Sequence, residues 1–126
     1  MTGATWKPSS TLPAGCDRAM ALPTRGEVWW ADLADAGARP VVVLSRDAAI
    51  VGRRRTVVAS CSTVIRGLAS EVPLEPGDDP VPKLCVVQLD AVVDVPVRTL
   101  VRRLGQLSEQ RMREVCSALA LAMGCS

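Results

Sequence analysis

Strand-length runs of valine, leucine and isoleucine, closed off by proline and glycine, recur from Arg25 to Leu104, and a sustained helical period appears only after Ser108. Short apolar runs bounded by turn residues read as strands, and a three-and-four repeat reads as a helix. Such a chain has no βαβ alternation from which to build a parallel sheet. The expectation is a mainly β fold: a small twisted antiparallel barrel with one C-terminal helix laid over it. Its 126 residues, 48% hydrophobic, make one domain able to bury a core without staples. With three Trp and no Phe, Tyr or His, that core falls to Val, Leu, Ile, Ala, Met and Cys.

The missing histidine also restricts chemistry, because it removes the commonest general base and the commonest metal ligand together. Five cysteines form no CxxC pair, so no zinc site is spelled out. Their odd count, with no secretory segment, reads as reduced intracellular thiols, Cys61, Cys85 and Cys116 serving as small core hydrophobes. Asp78 and Asp79 are adjacent acids in a proline-punctuated loop, which is turn chemistry and not a metal site. No segment approaches a membrane span.

Residues 1–24 are rich in Pro, Ser, Thr, Ala and Gly without periodicity, and are expected to be a weakly ordered arm, with Trp6 docking on the body. Residues 25–126 form the barrel domain. Its first strand is Arg25 to Leu33, on which Trp29 and Trp30 face opposite sides of the sheet; one enters the core, and the other is a rim residue, an oligomer contact or a base-stacking platform. The turn Ala34 to Ala38 leads into a hairpin partner that opens at Arg39–Pro40, because proline pushes its predecessor towards extended backbone and cannot donate to a ladder. Val41 to Leu44 is then apolar on both faces.

A helical turn is expected over Ser45–Gly52, capped by Ser45 and stopped by Gly52. Strands follow over Thr56–Thr63, Ser70–Glu75, Cys85–Val95 and Val101–Leu104. The last helix has Ser108 as N-cap, a Leu107–Met112 staple, and an apolar face of Met112, Val115, Cys116, Leu119 and Met123, with Arg111, Arg113 and Glu114 solvated.

The formal charge is only +2. Arginines are nevertheless concentrated at Arg46, Arg53, Arg54, Arg55 and Arg66, opposed in that window only by Asp47. The window suits a polyanion, and it equally suits a solvated, arginine-biased loop. Arg39 likewise reads as a cation fixed at the rim of a core or as an ordinary strand-edge arginine.

Taken together, RGEVWWADL, GARPVVVLS, VVASCST with Arg66 just after it, and the C-terminal amphipathic helix resemble the MazF/PemK toxins of type II toxin–antitoxin modules from about Arg25 to the end. The resemblance implies an SH3-like barrel shared with CcdB, a homodimer, and a cytoplasmic mRNA interferase. Such an enzyme cuts single-stranded RNA at a short word without metal or cofactor; mRNA is the expected target, with rRNA or tRNA as further ones. A MazE-like antitoxin is the implied partner. The family's arginine opening the second strand falls on Arg39. Its threonine ending the third strand falls on Ser62, with Thr63 as the alternate, and Ser60 stands where the family has proline. Only ADAGA separates the end of the first strand from Arg39, where the family carries a longer loop. Arg46, Arg53, Arg54, Arg55, Arg66 and Trp30 become the expected RNA contacts. The competing readings are a CcdB-like gyrase poison, which the absence of an aromatic near the C-terminus disfavours, and a non-catalytic barrel binding a peptide or nucleic acid.

Overall fold

The computed structural model describes residues 22–33 and 37–125. Six strands occur in the order β1 (Glu27–Leu33), β2 (Gly37–Val43), β3 (Arg55–Ser62), β4 (Glu71–Leu74), β5 (Cys85–Pro96) and β6 (Leu100–Gln106). Helix α1 (Asp47–Arg53) joins β2 to β3, a 3-10 turn (Val97–Thr99) joins β5 to β6, and α2 (Glu109–Met123) closes the chain. All pairings are antiparallel, in the sheet order β4-β5-β3-β2-β1-β6. The strand β5 shifts register against β3 between Ala59 and Cys61, and β6 shifts twice against β1. Each such bulge adds bend and twist, so the sheet curls into a half-barrel. The loop after β4 reaches the other edge at Gly105, where a built Cβ would lie 2.4 Å from the Pro80 side chain. Only glycine fits that approach.

Alternation along the strands gives the sheet two apolar faces. Val28, Val42, Ala59, Cys61, Leu74, Cys85, Val87 and Leu89 form the larger core, which α2 covers with Val115 and Ala118. Trp29, Ala31, Val41, Val43, Val58 and Leu100 form the smaller one, covered by Ile50 of α1. Full burial of one such aliphatic side chain is worth about 1.5–3 kcal/mol, and Ile50 is the one buried residue of α1. The short helix is therefore pinned through a single residue.

Several local expectations are corrected. The β2 strand starts at Gly37, with Pro40 inside it; pairing with β3 begins only at Val41, so proline sits where that flank of the strand is open. Ser45 does not cap α1: its Oγ accepts the Val57 N–H at 2.8 Å, the N-cap is Arg46, and the stop is Arg54, not Gly52. Along α2, Met112, Val115 and Leu119 face the larger core as expected, joined by Ala118 and Ala122, whereas Cys116 and Met123 are exposed. Cys116 instead receives an N–H of Arg25 at 3.0 Å. Arg111 is not solvated either, because it spans Asp79 and Glu114 at 3.0 and 2.8 Å, and Asp79 also accepts the Glu75 N–H. Those carboxylates hold the Arg111 guanidinium well above its ordinary pKa. Trp6 and the expected arm lie outside the described residues except for Leu22, Pro23 and Thr24; Leu22 packs against the smaller core.

Candidate functional site

Two neighbouring strands part company at one end of the sheet. The β2–β3 ladder runs from Val43↔Val58 to Val41↔Ser60 and stops, while β2 stays with β1 through Arg39↔Ala31 and β3 stays with β5 through Ser62↔Val86. Continuing the broken register sets Arg39 opposite Ser62 across the opening. Arg39 is two residues from Val41, so by alternation it faces the smaller core. Its Nε atom is buried. A guanidinium offers a planar fork of N–H donors that suits phosphate.

Ser62 is 5% exposed, and its Oγ accepts the Val64 N–H at 3.0 Å, which turns the chain sharply out of β3. The hydroxyl proton remains to be donated. Thr63, next along, is half-buried. Between them lies a choice of hydroxyl that the geometry leaves as the sequence left it. Cys61 is not a third candidate: its bond with Cys85 and its full burial push the thiol well up, and the nearby Arg39 charge only partly offsets them. It remains a neutral thiol, far from the thiolate that a nucleophile needs.

The turn beyond Ser62 carries Arg66 and is held from β4. A single oxygen, Glu71 Oε1, accepts the N–H groups of Arg66, Gly67 and Leu68 at 3.0, 3.1 and 3.4 Å. Sequence reasoning passed over Glu71. The only trace it leaves is an acid four residues after a glycine, the reach of a local side-chain cap on backbone N–H groups.

Of the arginines expected to bind RNA, only Arg66 lies at this end. Arg46, Arg53, Arg54 and Arg55 surround α1 and the start of β3. The eight-residue strand β3 runs from that start to Ser62, about 23 Å at strand rise. The arginines expected to contact RNA thus fall in two separate places, because β2 and β3 are antiparallel and the residues joining them gather at the opposite end. Trp30 is also corrected: at 7% exposure it is buried, as is Trp29 at 9%, so neither ring is an open stacking platform in the described chain. They do face opposite sides, Trp29 entering the smaller core. Among the described residues no group of three or more His, Cys, Asp or Glu side chains is placed to hold a metal ion.

Residues 24–123 match the profile of the PemK-like, MazF-like toxins of type II toxin–antitoxin systems. The chain belongs to this family. A Mycobacterium tuberculosis relative named probable endoribonuclease MazF5 is 61% identical over 106 residues, which cover 84% of this chain and 97% of that one. The probable endoribonuclease MazF2 of the same organism is 38% identical over 101 residues, 80% of this chain and 98% of the relative. Among solved structures, a mycobacterial endoribonuclease in complex with its cognate antitoxin superposes with a TM-score of 0.75 at 28% identity, covering 82% of this chain and 97% of that chain. The M. tuberculosis toxin MazF-mt6 gives 0.72 at 29%, covering 79% and 98%.

The PemK/MazF resemblance drawn from RGEVWWADL, GARPVVVLS and VVASCST therefore holds, and so does the expected mainly β architecture with its terminal helix. No helix among the described residues is long and apolar enough to cross a membrane.

Proposed function

We propose that this chain is a toxin endoribonuclease that cuts single-stranded RNA at a short word, using the substrate's own 2′-OH as nucleophile. RNA brings that nucleophile itself, so the protein has to align it with phosphorus and stabilise the charge growing on the phosphoryl oxygens. Arg39 supplies the stabilising donors from a half-buried position on β2. Ser62, or Thr63 beside it, donates its hydroxyl to a phosphoryl oxygen or orients the attacking group. Arg66 holds a neighbouring phosphate, and Glu71 sets the loop that carries it. The products are a 2′,3′-cyclic phosphate and a 5′-OH end. No step requires a metal or cofactor. A MazE-like antitoxin restrains the enzyme, which acts as a cytoplasmic homodimer on mRNA and, with a permissive word, on rRNA or tRNA.

What supports this reading is the β2–β3 register, which ends at Val41↔Ser60 and, continued by two residues, sets Arg39 opposite Ser62. Family membership supports it, since the matched relatives are named endoribonucleases. To test it, purified protein is incubated with long single-stranded RNA in EDTA and the new ends are mapped. Discrete cuts bearing 5′-OH ends, abolished by Arg39→Ala, are expected. Binding without cutting would return the chain to the non-catalytic reading.

A further inference from the structure

Five guanidinium groups gather at the end of the sheet remote from Arg39. Arg46 and Arg54 are the two caps of α1, about 10 Å apart over seven helical residues. Arg53 and Arg55 flank Arg54, and Arg98 follows Val97, whose N–H bonds to the Arg54 carbonyl at 3.1 Å. Two acids face them. Asp47 accepts the Arg25 N–H at 2.7 Å, and Asp94 takes Arg55 and Arg53 on one oxygen at 2.7 and 3.4 Å. The side chains of Arg46, Arg54 and Arg98 form no ion pair among the described residues, whereas Arg103 and Arg111 sit on Glu27 and Asp79. These five cations outnumber the two acids by three, against a net charge of +2 for the whole chain.

Arg54 adds an independent observation. At φ 57° it is the one non-glycine residue in left-handed backbone among the described residues. Glycine is the usual residue at such a helix stop, and a side chain there is strained. Folding alone favours a different residue.

We propose that this patch is a second RNA-binding surface, an anchor for phosphates of single-stranded RNA outside the word that is cut. The partner's identity rests on the endoribonuclease reading. The anchor lies on the face that Arg39 occupies, because Ile50 of α1 is buried with Val41 and Val43. Its distance from Ser62, about 23 Å along β3, falls within the footprint of about 4–16 nucleotides that single-strand binders cover. Asp94 holds two of the forks in place, so they lose less freedom on meeting phosphate.

The test uses the full chain and the triple variant Arg46→Ala, Arg54→Gly, Arg98→Ala. A cleavage site is mapped in long RNA in EDTA, and 8- and 30-nucleotide RNAs centred on it are compared. The parent should prefer the longer RNA by about tenfold in KM, and the triple variant should lose that preference with kcat unchanged. In parallel, binding of a 30-nucleotide 2′-O-methyl RNA, which offers no nucleophile, is measured against salt. The slope of log affinity on log salt should become shallower by about 2, the share of three phosphate contacts. Arg54→Gly alone should raise Tm while weakening the 30-mer, a combination that mere loss of structure does not produce. An unchanged slope, or equal loss on both RNA lengths, overturns the anchor. So does an unchanged slope with lost binding of a polyglutamate peptide, which would give the patch to an acidic protein. If the parent cuts nothing but the slope still falls, the nuclease reading fails and the anchor stands.

Discussion

The two ends of the β2–β3 pair both present arginine, under opposite conditions. At the open end Arg39 is half-buried, its Nε is out of water, and the continued β2–β3 register sets Ser62 opposite it. At the α1 end Arg46, Arg53 and Arg54 stand exposed, and Asp94 braces Arg53 together with Arg55. A cation meant to stabilise charge growing on one phosphorus gains from being fixed and desolvated. A cation meant to collect a polyanion gains from being wet, numerous and salt-sensitive. Equal residue types therefore predict unequal phenotypes.

The largest expected effect lies at the open end. Arg39→Ala should lower kcat by about 100- to 1000-fold with Tm nearly unchanged; a variant that only raised KM would erase the distinction drawn between the two ends. Ser62→Ala should cost about tenfold or more in kcat, in the range of a lost positioning hydrogen bond, and if Thr63→Ala does so instead, the hydroxyl role moves one residue along. Glu71→Ala frees the Arg66 loop and should raise KM several-fold with a smaller change in kcat. Glu71→Gln keeps the accepting oxygen and should restore the parental KM, and the effect should vanish in an Arg66→Ala background if the two act as one unit.

Smaller effects separate the carboxylates. Burial pushes Glu27 up, but bonds from Arg103, Trp29 and Thr24 outweigh it and leave the carboxyl below its ordinary 4.5. The unfolded chain then takes up the proton first as pH falls. The stability contributed by Glu27 is full above 4.5 and is lost as pH drops through its depressed folded value. Glu27→Gln should lower Tm at pH 7, and the deficit should shrink in acid. Asp94 is also held below its ordinary value, chiefly by the Arg55 hydrogen bond, but on the exposed surface. Asp94→Asn should move Tm least of all, since exposed pairs are screened.

Much of this was legible beforehand, for local reasons. Arg39–Pro40 ahead of four apolar residues marked a strand, and Ser108 marked a helix start that the structure shows accepting the Arg111 N–H. What stayed hidden depended on how strands bend and which residues meet across long separations. No periodicity tells that Arg111 will reach Asp79, or that Arg66 and Arg54, twelve positions apart in one basic window, will lie beyond opposite ends of β3. The α2 stripe was misassigned at Cys116 because that residue is as apolar on paper as Ala118. Both tryptophans are buried because the half-barrel curls, and curl comes from bulges that alternation alone does not announce.

The grip of Glu71 on three main-chain N–H groups has a consequence for how such a protein can change. Every amino acid but proline carries that donor, so Arg66 and Leu68 can be exchanged without reshaping the turn that displays them. Gly67, at φ 73°, is the exception. New specificities are thus open to point substitution at these two positions, with no insertion and no remodelled backbone.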